Sequence, residues 1–503
     1  MVGVSAQQQA ILSGDLLRIC TSPAGLPSWC HHIAVTDRRA RPKLRPGVAA
    51  GHRSTAEAGA ELLARGGHAV DAAVGMMLVS CAAETIFTGL GGGGFATCYD
   101  HATGEVTCVD FFVSVPGLDG RSPGAGTAIE VRFVGQKMPY EIGPPTVAVP
   151  GVPAGALHLW RRWGRLPWAD VVEPGLRAAS EGTPFSQAHA VLLPRVAPAF
   201  CVGEGTRVYQ RADGSYLQGG DRLIHPDHFR AYELLLHDPD AFYRGEYAES
   251  LVSAVDHGGA LSLEDLKAYS VVESRPRTAA INGFTVYARG NDLDDVLRTL
   301  DHVGERIAGD PVTDPASALA LVEALRAPTK RAETTNIVAV DASGDGCAIT
   351  TSLGLGSGVW VPGFGVHLNS MMGEGELVRE QLEPGLRMGS MMSPLVALHD
   401  ENLGVIAGAA GGSRIRPALV QCLLRMLRGT PPQEAIDAPR LNAQGNLVRL
   451  EPGFSPDVIA ALQAAGNRVV VADHRDPYFG GVSAISPLGG GADPRRSGYV
   501  IMV

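Results

Sequence analysis

Residues 333–341 read Glu-Thr-Thr-Asn-Ile-Val-Ala-Val-Asp, and the organisation of the chain follows from this stretch. Thr334 and Thr335 stand at the head of an apolar, β-branched run, and turn residues follow at 341–346. The pattern predicts a strand over 336–341, a turn, and a second strand over 347–352. A threonine becomes a good nucleophile when the peptide bond before it is cut, because its own α-amine then serves as the base. Two threonines before such a run are also ordinary strand composition, so other motifs must decide between the two interpretations.

The composition excludes several classes of protein. The 503 residues are 45% hydrophobic, which is enough for a large core, and the net charge of −10 argues against a nucleic-acid-binding surface. The sequence has no apolar run of about 18 residues, so we expect no membrane-spanning helix. The first thirty residues lack the features of a secretion signal, and we expect a cytoplasmic protein.

The cysteines and histidines give no sign of a metal site. The eight cysteines form no Cys-x-x-Cys pair, so we expect free thiols in a reducing compartment. The pair His31 and His32 has no partner ligands at suitable spacing. We therefore expect neither a metal nor another cofactor.

Glycine-rich and methionine-rich motifs lie in a fixed order on both sides of the two threonines. Those before them are a helical segment at 54–73, Gly-Leu-Gly-Gly-Gly-Gly-Phe at 89–95 and Val-Pro-Gly-Val-Pro-Ala-Gly at 149–155. Those after them are Gly-Leu-Gly-Ser-Gly-Val at 354–359, Asn-Ser-Met-Met at 369–372, Ser-Met-Met-Ser-Pro at 390–394, Gly-Ala-Ala-Gly-Gly-Ser-Arg-Ile at 408–415, Phe-Gly-Gly at 479–481 and Asp-Pro-Arg-Arg at 493–496. Together they resemble the γ-glutamyltranspeptidase family of N-terminal-nucleophile (Ntn) hydrolases.

The fold expected from this resemblance is an α/β (α+β) four-layer αββα sandwich. Strand-rich middle and late segments, with helices before and between them, independently predict stacked sheets covered by helices. Locally, Ser54 and Glu57 form a capping box that predicts a helix start, and Ser413 predicts another helix start. We take the glycines at 89–94 as a place where strands pack closely rather than as a phosphate loop.

The resemblance also implies that the chain cuts itself between Glu333 and Thr334. Residues 1–333 would form the large part of one Ntn-hydrolase unit, and residues 334–503 the small part that begins with the nucleophile. The expected partners are then a small-molecule substrate and the two fragments of the same chain.

By the same resemblance, the chemistry falls on four residues. Thr334 is the nucleophile, and Ser352 stands where the family has a threonine that hydrogen-bonds it. Gly411 and Gly412 stand where backbone amides form the oxyanion hole, and glycine suits that place because a side chain would block close approach. The other interpretation of the two glycines is a turn into the helix that follows.

The substrate pocket departs from the family pattern at four places. Phe112 stands where an arginine binds the glutamyl α-carboxylate, and phenylalanine cannot form the planar fork that arginine offers. Ser390 and Met391 replace a pair of serines, Gly354 replaces an asparagine, and Glu374 stands for an aspartate that binds the α-amine.

An apolar pocket around Phe112 and Met391, together with Met371 and Met372, favours a less polar or aromatic substrate. The alternative is that another cation, Arg414 or Arg416, has taken over the carboxylate.

Three functions compete on this basis. The first is a self-processing threonine hydrolase with a non-glutamyl substrate. One branch of the family does this by cleaving a C–C bond next to a carbonyl in 4-alkylproline (lincomycin and pyrrolobenzodiazepine) biosynthesis. The second is a genuine γ-glutamyl hydrolase or transpeptidase with a rebuilt pocket. The third is an unprocessed, non-catalytic scaffold, and the survival of the four chemical residues argues against it.

Overall fold

The computed structural model describes residues 44–133, 136–290, 296–304, 306–326, 334–374, 377 and 382–503. Glu333, on the N-terminal side of the expected cut, lies outside the described residues, as do His31 and His32. None of the helices in the described ranges is long and apolar enough to cross a membrane.

The described residues alternate between helices and strands along the whole chain. The helices are α1 (Arg53–Ala64), α2 (Ala69–Ala83), α3 (Val152–Trp163), α4 (Trp168–Glu181), α5 (Gln187–Phe200), α6 (Glu204–Tyr209), α7 (His228–His237), α8 (Gly245–Val255), α9 (Leu263–Ala268), α10 (Val296–Val303), α11 (Pro315–Leu325), α12 (Ile415–Met426), α13 (Pro432–Asp437) and α14 (Pro456–Ala464). The strands are β1 (Gly47–Ala50), β2 (Gly93–Tyr99), β3 (Val106–Phe111), β4 (Thr127–Phe133), β5 (Gln136–Ile142), β6 (Thr183–Pro184), β7 (Arg222–Leu223), β8 (Val272–Ser274), β9 (Arg277–Ile281), β10 (Phe284–Ala288), β11 (Thr335–Val340), β12 (Gly346–Ser352), β13 (Trp360–Val361), β14 (Val366–His367), β15 (Leu395–His399), β16 (Asn402–Ala410), β17 (Leu441–Gln444), β18 (Leu447–Leu450), β19 (Arg468–Val471), β20 (Gly481–Ser486), β21 (Gly489–Ala492) and β22 (Tyr499–Met502).

Two antiparallel sheets form the centre of the molecule. One has seven strands in the order β22-β1-β11-β12-β2-β3-β8, and the other has six in the order β21-β20-β16-β15-β10-β9. Strand β1 pairs with β11 on one side and with β22 on the other. Strands from before and after residue 334 are therefore interleaved in one sheet.

Side-chain alternation along the strands separates three apolar cores. Val338 and Val340 of β11 pack with Ile406 of β16 in the core between the two sheets. Ile337 and Ala339 of β11 point the other way, into the core beneath α1 to α4. The outer face of the six-stranded sheet is covered by α10 to α14. This arrangement of helix, sheet, sheet and helix layers confirms the αββα sandwich.

The glycine run before β2 lies where other backbone segments approach closely. A Cβ on Gly92 would lie 2.2 Å from the carbonyl oxygen of Ser352, and one on Gly91 would lie 2.4 Å from that of His367. The run therefore packs the α2–β2 connection against the end of β12, as the prediction of close strand packing required.

Two predicted helix caps are wrong. The cap of α1 is His52, whose side chain accepts a hydrogen bond from the Ser54 amide, so Ser54 itself lies inside the helix. Ser413 lies in a short 3₁₀ turn, and α12 begins after Arg414 without a side-chain cap. Sequence spacing does not determine which of several nearby polar residues takes the extended backbone conformation that a cap needs.

Candidate active site

Thr334 lies immediately before β11, and its side chain is completely buried. Successive residues of a strand face opposite sides, so Thr334 is on the side of Val338 and Val340, between the two sheets. The strand end of β16 meets it there. The backbone amide of Gly411 donates a hydrogen bond of 2.8 Å to Thr334 Oγ1. The expected nucleophile and one expected oxyanion donor are therefore in direct contact.

Ser352 occupies the end of the neighbouring strand. In the antiparallel pairing of β11 with β12, Thr335 is opposite Thr351 and Asn336 is opposite Thr350. Continuing this register by one residue places Ser352 opposite Thr334, with both side chains on the same face. The Ser352 side chain is fully buried, and its Oγ accepts a hydrogen bond of 3.0 Å from the Gly354 amide.

Gly411 and Gly412 connect β16 to the 3₁₀ turn before α12, and both have left-handed backbone angles, with φ of 120° and 58°. A Cβ on Gly411 would lie 2.9 Å from Gly480 Cα and 3.3 Å from Arg496 Nη2. Only glycine takes this conformation in this space without strain, and the conformation turns the Gly411 amide towards Thr334.

A small cavity adjoins Thr334 and contains three charged side chains, Glu84, Asp493 and Arg496. Its other lining residues are Gly51, Phe87, Thr335, Asn336, Ala410, Gly481, Val482 and Ser483. None of the three charged residues was predicted for the site. A signal for Glu84 exists in the sequence, because it is an isolated acid directly after the apolar run of α2, all of whose residues are buried.

Glu84 is fully buried, and burial raises the pKa of its carboxyl to about 7. Three groups favour the charged form and oppose this shift: the hydroxyls of Thr335 and Thr55, and the guanidinium of Arg496. Glu84 also caps the C-terminal end of α2, where the helix dipole disfavours a negative charge. The carboxyl therefore changes its charge close to neutral pH.

Gly354 and Glu374, two of the predicted pocket residues, are brought together next to Ser352. The fully buried Glu374 accepts a hydrogen bond of 3.1 Å from the Leu355 amide through Oε1. A Cβ on Gly354, which has a φ of 66°, would lie 2.2 Å from the same oxygen. A glycine at 354 is thus what allows the longer acid at 374 to reach this point.

A cluster of His68, Asp341 and Asp345 has the composition of a metal site, with one ligand atom from each within 4.8 Å of the others. The Asp345 carboxylate already has partners from the protein: His68 Nε2 lies 3.1 Å and Arg165 Nη2 3.0 Å from it. His68 Nδ1 accepts a hydrogen bond from the Val70 amide. The cluster braces the turn between β11 and β12, at the end opposite to Thr334.

The comparison with known protein families agrees with this geometry. The γ-glutamyltranspeptidase family model matches residues 55–327 and 298–503. The chain belongs to this family.

Its relatives include hydrolases of two kinds. The glutathione hydrolase proenzyme of Bacillus subtilis (strain 168) is 24% identical over 548 residues, covering 90% of this chain and 91% of the relative. The acylase ACY 1 proenzyme of Pseudomonas sp. (strain SE83) is 25% identical over 508 residues, covering 87% and 89%. The chain is accordingly an enzyme of the γ-glutamyltransferase-like Ntn-hydrolase class.

Solved structures confirm the fold. Cephalosporin acylase from Bacillus halodurans superposes with a TM-score of 0.73 at 21% identity, over 92% of this chain and 96% of that one. A structure of LmbA superposes with a TM-score of 0.75 at 21% identity, over 92% and 98%.

Within the family fold, the remaining predicted pocket residues are buried, except Met372, which is half-buried. Phe112 stacks on Phe95 with ring centroids 5.3 Å apart, and Met391 and Met371 belong to the same fully buried core. The carbonyl oxygen of Ser390 accepts a hydrogen bond of 3.0 Å from Arg289 Nη1. None of these side chains lines the described cavity around Thr334.

The two arginines considered as replacements differ in position. Arg416 lies in the outer helix layer, where it donates hydrogen bonds to Thr299 Oγ1 at 3.4 Å and to the Leu325 carbonyl at 3.1 Å. Arg414 is directed to the Tyr478 carbonyl at 3.1 Å, and its Cβ lies 3.6 Å from a Cβ placed on Gly411. Arg414 is therefore the one of the two that lies near Gly411.

Proposed function

We propose that the chain is a self-processing threonine hydrolase that acts on a non-glutamyl substrate. The proposed catalytic role of Thr334 rests on the 2.8 Å hydrogen bond from the Gly411 amide to its buried Oγ1. A nucleophile and an oxyanion donor must both lie about 3 Å from one reacting carbonyl group, and this contact brings them to one place.

The reaction begins with cleavage of the bond between Glu333 and Thr334, which divides the chain into 1–333 and 334–503. The new α-amine of Thr334 has an ordinary pKa near ~7.7–8.0, so a useful fraction is neutral and can take the proton from Oγ1. Oγ1 then attacks the substrate carbonyl, and the amides of Gly411 and Gly412 stabilise the oxyanion. The amine passes its proton to the leaving group, and water attacks the acyl ester to regenerate Thr334.

The proposed substrate class is inferred from the residues around the site. Phe112, at the place of the expected arginine, is packed in the core against Phe95, whereas the acid Glu374 is retained beside Gly354. The Glu374 carboxylate is thus available to bind an amine or hydroxyl of the substrate, whereas residue 112 has no guanidinium group to bind a carboxylate. We infer an apolar or conjugated acyl group.

A more specific form of this proposal is that the chain cleaves a C–C bond in 4-alkylproline biosynthesis. Thr334 would attack a ketone instead of an amide. The carbon leaving group departs with the electron pair of the broken C–C bond and is protonated to a neutral product. A conjugated enol stabilises that electron pair and lowers the barrier.

The second candidate is a γ-glutamyl hydrolase or transpeptidase. The position of Arg414 near Gly411 favours it, because this cation could bind a glutamyl carboxylate that residue 112 cannot. The glutathione hydrolase relatives favour it as well.

The test compares kcat/KM for glutathione and a γ-glutamyl anilide with that for anilides and ketones that carry apolar, conjugated acyl groups. Each lost charge-assisted hydrogen bond removes about 1.5–3 kcal/mol, so γ-glutamyl substrates should be worse by about one to two orders of magnitude. Turnover of glutathione at about 10⁴ M⁻¹s⁻¹ or more, abolished in Arg414→Met, would establish the second candidate instead.

A further inference from the structure

Residues 84–88, Glu-Thr-Ile-Phe-Thr, connect α2 to the glycine run and hold the two strand ends of the active site from behind. Thr335 Oγ1 donates a hydrogen bond to Glu84 Oε2. Thr88 Oγ1 and Thr351 Oγ1 share a hydrogen bond of 2.7 Å. The Leu353 amide donates to the Phe87 carbonyl at 3.1 Å. We call residues 84–88 the clamp segment.

The clamp segment contacts the strand faces opposite to those of Thr334 and Ser352, and Glu84 reaches from there to the edge of the small cavity beside Thr334. Thr335 and Thr351 are directly paired across β11 and β12, and both face the helix layer. Their neighbours Thr334 and Ser352 face the space between the sheets. Any shift or rotation of the strand end at Thr335 would therefore move Thr334 away from the Gly411 amide.

Two hydrogen bonds hold Glu84 in place for its contact with Thr335, and Gly51 leaves the room that its carboxylate needs. Its backbone amide closes the last turn of α2 on the Ser80 carbonyl. Its Oε1 accepts a hydrogen bond of 2.8 Å from Thr55 Oγ1 of α1. Gly51 leaves room beside it, because a Cβ there would lie 2.5 Å from Glu84 Oε2. A buried carboxylate requires donors of this kind, and both hydroxyls are available to it.

We propose that Glu84 and Thr335 are positioning residues for the nucleophile. The carboxylate holds the Thr335 side chain and so fixes the backbone that carries Thr334, which keeps Thr334 Oγ1 against Gly411 during self-cleavage and turnover. The inference rests on the proposed role of Thr334.

The charge of Glu84 gives the clamp a pH dependence of defined sign. The ionised carboxyl accepts charge-assisted hydrogen bonds from both Thr55 and Thr335, whereas the protonated carboxyl must donate from one oxygen, which reverses one of these hydrogen bonds and leaves both without charge assistance. The clamp is therefore complete above a pH of about 7 and weakens below it.

Other charged or titratable groups face this carboxyl, but their pKa shifts take them away from neutral pH. Burial raises the pKa of Cys81 on α2 to about 12. Burial opposes but does not outweigh Arg440 and Arg495, which lower the pKa of Asp493 in the same cavity. Burial lowers the pKa of the nearby His52. Arg496 is a guanidinium and stays charged at every working pH. The α-amine of Thr334 does not exist before the cut, so it cannot produce a pH step in self-cleavage.

The first experiment follows self-cleavage of the full chain made by cell-free translation, sampled over time on denaturing gels. Thr335→Val keeps the side-chain shape but removes the hydroxyl, and we expect cleavage to slow by about 10- to 100-fold, since a misplacement of about 1 Å can cost about 100-fold. Thr335→Ser restores the hydroxyl, and we expect a rate within about threefold of the original. Thr278→Val, at an exposed position of β9, is the matched control and should not change the rate.

The second experiment measures the same rate from pH 5.5 to 8.5. The original chain should cleave faster as the pH rises through about 7, and Glu84→Gln, which cannot ionise, should lose that step. On the mature enzyme, the release of p-nitrophenol from p-nitrophenyl acetate gives a second readout, with kcat lowered in Thr335→Val and KM little changed.

The outcomes separate this inference from the proposed function. An intact original chain, or cleavage of Thr334→Ala, would overturn the role of Thr334 and the inference with it. If Thr334→Ala stays intact but Thr335→Val cleaves at the original rate, only the clamp is overturned. Equal slowing of the Val and Ser variants, or a pH step that persists in Glu84→Gln, would also overturn it, since either result would indicate a merely structural effect.

Discussion

At the scale of single residues, Thr334 and Thr335 are chemically identical, and the alternation of the strand separates their roles. Thr334 faces the sheet interface and contacts the Gly411 amide. Thr335 faces the helix layer and contacts Glu84. A shift of one residue in register would exchange the two, because the side-chain period of a strand is two.

Substitution of the nucleophile provides the direct test at this scale. Thr334→Ala should stay a single chain and be inactive, because the attacking oxygen of both self-cleavage and turnover is lost. Thr335→Ala is the matched control and should still be cut, although more slowly. Denaturing gels and turnover assays measure both effects. Cleavage of Thr334→Ala at the same place would show that another group makes the cut.

At the scale of elements, the site is built where the ends of three strands meet. β11 and β12 supply Thr334 and Ser352, and the end of β16 supplies Gly411. The clamp segment holds β11 and β12 by hydrogen bonds from the helix side. The left-handed turn at Gly411 and Gly412 places the Gly411 amide, at the end of β16, next to Thr334. The position of the reactive atoms therefore depends on short connections rather than on any one strand.

Gly411→Ala should disrupt the site through the turn after β16. The new Cβ would lie 2.9 Å from Gly480 Cα, so the turn must move and carry its amide away from Thr334. Loss of one oxyanion donor costs about 10²–10³ in kcat, and we expect a decrease of that order in both cleavage and turnover.

Gly429→Ala is the control for backbone strain alone, since Gly429 has a φ of 92° and no heavy atom within 4 Å of its added Cβ. It should lower thermal stability without changing the rate at saturating substrate. An unchanged rate in Gly411→Ala would remove this amide from the mechanism.

At the scale of the whole molecule, the two parts of the chain share their sheets. β1 precedes the expected cut, yet it lies between β11 and β22, which both follow it. β9 and β10 of the first part likewise extend a sheet whose other strands belong to the second. Self-cleavage would leave these hydrogen bonds and all three apolar cores in place.

We therefore expect the cut protein to stay assembled. Scaling 52.6 kDa by residue number gives fragments of about 35 and about 18 kDa, which should separate on a denaturing gel. Gel filtration without denaturant should show both in one peak at the mass of the intact chain, because separating them would break the sheet and expose its core. Elution of the small fragment alone would contradict the interleaved sheets.

The family, the layers and the strands around Thr334 could be predicted from the amino-acid sequence alone. The strands predicted at 336–341 and 347–352 begin and end within a residue of β11 and β12. Such strands are predictable because apolar residues and turn residues follow each other locally. The family and its layers are predictable from the ordered motifs. The roles of Thr334, Ser352 and the two glycines stay predictions, now with a geometry that allows them.

Which side chains share the site could not be predicted in this way, because it depends on contacts between distant segments. Glu84 and Thr335 are 251 positions apart in the chain, and no local pattern records their contact. The burial of Phe112 against Phe95 likewise depends on the packing of separate segments. The physical reason is that a strand pattern determines which face a residue takes, whereas the partner it meets there depends on how distant elements pack.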